Sequence, residues 1–122
     1  MIGVTPLGIL TDKPGPSRQF YKQILGIERV QTCSEMTSPE ARGTLMRLES
    51  PQVEVFATET RLLDRTENTV ISAEHRLIMR PRDPQALVER LAVAGINISR
   101  TSGGSASFED MNGINWEIRG LM

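Results

Sequence analysis

The residues able to do chemistry in this chain are few, and two acids lead them. Glu117 sits in "NWEIRG" at 115–120 and Glu54 in "VEVFAT" at 53–58. Both stretches alternate like strands. In the first, Trp116 and Ile118 face one side while Asn115, Glu117 and Arg119 face the other. In the second, Val53 and Val55 point to a core and Glu54 away from it. A carboxylate on such a face can act as a base, orient a ligand, or bind a cation. Arg76, Arg80 and Arg119 supply cations that favour an anionic ligand. An arginine stays protonated and cannot ligate a metal, but it makes charge-assisted hydrogen bonds with carboxylates. The chain holds a single histidine, His75, and a single cysteine, Cys33. One histidine without a matched partner is weak material for a site. Cys33 lacks a basic neighbourhood that would make it a nucleophile. "TSGGS" at 101–105 opens no helix and reads as a hairpin turn, not a phosphate loop.

The elements that position these residues follow from the chain's punctuation. Val4–Leu10 reads as a strand, ended by the breakers of "TDKPGPS". Ser17 is then an N-cap candidate for a helix over Arg18–Leu25, whose apolar face is Phe20, Tyr21, Ile24 and Leu25. Gly26 ends it. "IERVQTC" is a strand and 37–42 a polar loop. "GTLMRLES" and "QVEVFAT" read as a hairpin joined near Ser50-Pro51. Residues 59–69, polar and without period, read as a connector. "VISAEHRLIMR" is one further strand. Asp83-Pro84 opens a second helix with a cap and a proline at its first position. Leu87, Leu91 and Ala94 form its stripe, and Gly95 ends it. "INISR", "SASFED" and "NWEIRG" are short strands, with turns at 102–104 and at Asn112-Gly113, the latter pair signalling a two-residue hairpin. The order βαβββ therefore occurs twice.

Composition sets the broad class. The 122 residues suit one domain, with 39% apolar and 24% charged residues. A net charge of −1 and 4% aromatics give no support for a nucleic-acid surface. The lone cysteine excludes an intrachain disulfide and suits a reducing cytoplasm. The N-terminal stretch lacks a basic region and a cleavage site, and no apolar run reaches membrane-spanning length, so a cytoplasmic location is expected and a membrane partner is not.

"SRQFYKQILGI" resembles the first helix of the vicinal oxygen chelate superfamily, "DPQALVERLAVAGI" its second helix, and "FEDMNGINWEI" its closing hairpin. This superfamily includes glyoxalases, bleomycin-resistance proteins and extradiol dioxygenases. The resemblance implies an α+β fold of two tandem βαβββ modules forming a curved mixed sheet around a cavity. It places module 1 at about 2–58, a linker at 59–69 and module 2 at about 70–120, all within a single domain over 1–122. It implies a homodimer as well.

Many enzymes of the superfamily hold a divalent metal. Histidine or glutamine from each module's first strand and glutamate from each last strand serve as its ligands. Carried onto this chain, the glutamate positions are Glu54 and Glu117. The first-strand positions are Thr5 and Arg76, neither a plausible ligand, with His75 adjacent to the second. The cavity expected is lined by Thr5, Met46, Glu54, Phe56, Arg76, Glu117 and Arg119. The favoured function is binding of a small organic molecule without a catalytic metal or other cofactor, as in bleomycin-resistance proteins. The alternative is a lyase, isomerase or dioxygenase of the glyoxalase type. In it Ni, Zn, Mn or Fe would be held by Glu54 and Glu117, with His75 joining through a β-bulge.

Overall fold

The computed structural model describes residues 7–37, 42–57, 60–61, 70–71, 75–101 and 103–121. The fold is α+β, with two helices and two mixed sheets. The chain divides into two compact units that interleave along the sequence. Met1–Pro51 and Leu63–Ser72 form the first, Gln52–Leu62 and Ala73–Met122 the second.

In the first unit the strands are β1 (Leu7–Thr11), β2 (Arg29–Thr37), β3 (Arg42–Glu49) and the later β6 (Val70–Ile71), ordered β2-β3-β1-β6. Helix α1 spans Pro14–Gln19 and runs on as a π-helical turn over Phe20–Ile24. It begins earlier than a cap at Ser17 would allow. Proline in the first turn has no N–H to leave unpaired there, and Lys13 accepts the first helical bond from Ser17 N at 3.0 Å. Ser17 is instead fully buried, its Oγ 3.0 Å from Thr11 Oγ1. At the other end Leu25 N donates to Phe20 O, the five-residue reach of a π turn, and Ile27 N donates to Tyr21 O. Gly26 takes the left-handed conformation expected of it, with φ 72°. Phe20, Tyr21 and Leu25 are buried with Ile9, Val30, Met46 and Leu48 in this unit's core.

The second unit contains β4 (Val53–Ala57), β5 (Thr60–Arg61), β7 (His75–Met79), β8 (Ser99–Arg100), β9 (Ser105–Glu109), β10 (Asn115–Arg119) and helix α2 (Pro84–Val93). Its sheet order is β5-β4-β7-β10-β9-β8, with β7 and β10 parallel and the other neighbours antiparallel. Asp83 caps α2 as expected, its Oδ1 accepting from Ala86 N at 3.0 Å. Leu87 and Leu91 are buried, but Ala94 is the exposed C-cap and Val88 completes the stripe. These residues and the buried sheet face of Val53, Val55, Leu77, Met79, Ala106, Phe108, Trp116 and Ile118 form the second core. The start of the helix reaches the end of β10, where a Cβ on Gly120 would lie 3.6 Å from Pro84 Cγ.

Four local expectations are corrected. β3 and β4 are no hairpin: β3 lies between β1 and β2, whereas β4 lies beside β7. The turn at Pro51-Gln52 hands the chain from one unit to the other. "VISAEHRLIMR" is not one strand, because β6 pairs with β1 and β7 with β4 and β10. "INISR" is strand only at Ser99–Arg100. The β9–β10 connection is a three-residue loop. Asp110 N bonds Ile114 O at 3.0 Å and Gly113 N bonds Asp110 O at 3.1 Å, leaving Met111–Gly113 as the loop with Gly113 at φ 78°. That is a hairpin in which only the glycine needs positive φ. Of the connector at 59–69, Thr60–Arg61 pairs with the end of β4; the remainder lies outside the described residues.

Candidate functional site

Strand alternation in the second unit sorts its residues onto two faces, one buried beside α2 and one polar. Directly opposed residues on neighbouring strands share a face. One row across the sheet runs Phe56, Arg76, Asn115, Glu109, and the next runs Glu54, Ile78, Glu117, Ser107. Arg80 and Arg119 extend the same face at the strand ends. The three acids, three arginines and neighbouring hydroxyl and amide groups of this surface therefore come from β4, β7, β9 and β10, with Arg80 directly following β7.

Ion pairs dominate its geometry. Glu117 Oε2 accepts from Arg119 Nε at 2.5 Å, and its Oε1 lies 3.9 Å from Arg76 Nη1. Arginine 119 reaches the acid because residues two apart on a strand point the same way. Glu54 pairs with Arg80. The guanidinium of Arg76 stacks over the Phe56 ring at 5.6 Å from its centroid, a cation–π contact. Its Nε is buried and has no hydrogen-bond partner.

The residues expected to line one cavity are thus placed as follows. Glu54, Phe56, Arg76, Glu117 and Arg119 share the polar face of the second unit. Met46 lies in the first unit, buried in β3 opposite Ile9 and Thr32. Thr5 lies outside the described residues. His75 is opposite Ala57, and the register of β7 runs unbroken from it to Met79. No bulge turns it, so it falls on the face opposite Arg76. Among the described strands, a register shift occurs in β2, between Thr32 and Ser34.

Among the described residues, the acids at the family positions for a divalent ion are Glu54 and Glu117. Among the described residues, no three His, Cys, Asp or Glu side chains gather in one place. Glu54 and Glu117 stand on strands either side of β7, roughly 10 Å apart at the backbone by sheet spacing, with buried Ile78 between them. Each carboxylate already has an arginine partner, and oxygen-only sites call for more carboxylates than two.

Arg80 is the partner of Glu54 that sequence reasoning did not assign, although its even spacing from Arg76 on one strand puts it on the same face. Ser107 joins the face through cross-strand register, which only the pairing of β9 with β10 fixes. Asp110, seven residues before Glu117, belongs to the turn. Its Oδ1 accepts from Asn112 N at 2.8 Å and Ile114 N at 3.0 Å, and its Oδ2 accepts from Trp116 Nε1 at 2.9 Å. No helix among the described residues is long and apolar enough to cross a membrane.

Comparison with known proteins places this arrangement. The profile of the Glyoxalase/Bleomycin resistance protein/Dioxygenase superfamily matches residues 3–118. No curated protein matches the chain. Among solved structures, TnmS3, an antibiotic binding protein from Streptomyces sp. CB03234, is similar at 19% identity and a TM-score of 0.53. The match covers 98% of this chain and 95% of that one. A glyoxalase/bleomycin resistance protein from the same organism is similar at 19% identity and a TM-score of 0.50, covering 93% and 96%. At such identity these likenesses speak to the fold, which is the same two-helix, mixed-sheet arrangement. The chain belongs to the glyoxalase/bleomycin resistance protein/dioxygenase superfamily.

Proposed function

We propose that this chain binds a small organic molecule without a catalytic metal, as a cytoplasmic homodimer. The observation that carries the reading is the pairing of both family-position glutamates with arginines, Glu117 with Arg119 and Arg76, and Glu54 with Arg80. A guanidinium supplies the positive charge that a metal would bring, and it does so in a fixed direction. Such a face orients a polar group of a ligand while apolar contacts hold the remainder. That TnmS3 is an antibiotic binding protein supports the same reading.

The competing reading is metal-dependent lyase, isomerase or dioxygenase chemistry, in which Glu54 and Glu117 would hold the ion. Calorimetric titration of purified protein with Ni²⁺, Zn²⁺, Mn²⁺ and Fe²⁺ separates the two. No stoichiometric binding is expected. Tight binding at one ion per chain, abolished by Glu117→Gln, would overturn the metal-free reading. In parallel, a thermal-shift panel of aromatic small molecules should yield stabilising ligands that are recovered unchanged by mass spectrometry.

A further inference from the structure

Arg76 is held in place but barely neutralised. Among the described residues its ion pair is the 3.9 Å contact to Glu117, about 1 Å longer than a charge-assisted hydrogen bond. The same carboxylate is bound far more closely by Arg119. Its Nε is buried without a partner, and a buried donor left unmade carries a desolvation cost that a bound acceptor relieves. Phe56 lies against the guanidinium on one side. The side chain is still 35% exposed, so it is not sealed from solvent.

Among the described residues, Arg76 is the arginine of the face held most loosely by a carboxylate. Glu54 is engaged by Arg80 and Glu117 by Arg119. Glu109 occupies the same row, but it is exposed at the turn end of β9, two strands away with Asn115 between. At roughly 10 Å its charge is largely screened.

We infer that the ligand carries an acidic oxygen group, a carboxylate, sulfonate or ionised phenol, and that Arg76 receives it through its planar N–H fork. This rests on the small-molecule-binding reading above and adds the chemistry of the group recognised. Arginine suits that role because its fork matches a pair of anionic oxygens. Glu117, held back by Arg119, sets the position of the guanidinium without closing on it.

A matched pair of fluorescent probes tests this: anilinonaphthalene sulfonate, which is anionic, and N-phenylnaphthylamine, its neutral counterpart. The wild-type chain should bind the sulfonate at one saturable site about tenfold more tightly, the size of one hydrogen bond to a charged group. Arg76→Gln should lose that preference by weakening the sulfonate alone, Arg76→Lys should keep part of it, and Arg29→Gln on β2 should leave both affinities unchanged. Equal affinity of the wild type for the two probes, or loss of both alike in Arg76→Gln, would overturn the acidic-ligand inference and leave small-molecule binding standing. Saturable binding of neither probe would remove both. If Arg76→Gln does not fold, as judged by circular dichroism, the wild-type ratio and its decline in Arg76→Lys decide the matter.

Discussion

Asp110 gathers three N–H donors onto one buried carboxylate: two from the loop it opens and one from the indole of Trp116. Removing it strands a buried indole N–H and releases the loop from its anchor. Asp110→Ala should therefore cost about 3 kcal/mol, measured by urea unfolding. Asp110→Asn should cost less, since it keeps one acceptor oxygen but cannot serve all three donors. Glu117 behaves differently, because its partners, 35% and 41% exposed, reach it from the solvent side of the sheet. Surface pairs of this kind contribute little to stability. Glu117→Gln should leave the unfolding midpoint within a small margin of wild type, which makes it a clean variant for the metal titration.

At the scale of the elements, short-range rules were legible and long-range pairings were not. Asp83-Pro84, Gly26 and Gly95 mark helix ends through local backbone requirements, and each does what its type dictates. Period-two alternation put Glu117 and Trp116 on opposite faces of β10 before any partner was known. Alternation cannot say which strand lies alongside, so β3 and β4 read as a hairpin although they belong to different sheets. The unbroken reading of "VISAEHRLIMR" fails for the same reason: both pieces are apolar enough, and only their partners separate them. Ser17 misled as a cap because two prolines upstream already begin the helix. Gly43 shows an element-level constraint hidden from pattern reading. It sits on β3 at φ 141°, where a Cβ would come within 2.7 Å of Thr11 O on β1. Gly43→Ala should cost about 2 kcal/mol or more, with amide hydrogen exchange rising first along β1 and β3.

At the scale of the whole molecule, the polypeptide passes between the two units three times, near residues 51, 62 and 72. No single cut separates them. A fragment of 73–122 keeps α2 and the strands from β7 onward but loses β4, leaving β7 as an open edge with unpaired backbone groups. It should unfold without cooperativity, whereas 52–122, which restores β4, should show a measurable transition by circular dichroism. Equal behaviour of the two fragments would mean that β4 adds nothing to the second sheet.

The single tryptophan and single tyrosine fall one to each unit. Trp116 lies in the second, stacked beside Phe108 at 6.2 Å, and Tyr21 lies in the first, edge-on to Phe20 at 5.5 Å. Both are fully buried. Nature has in effect labelled each half with its own optical reporter, and no dye or mutation is needed to watch them separately. Indole emission and tyrosine near-ultraviolet dichroism should trace coincident denaturation curves if the threefold crossing makes the halves one cooperative body. Curves that part would show a molecule that melts in two steps. Trp116 also neighbours Glu117 along β10, so its emission during ligand titration reads the strand that carries the polar face.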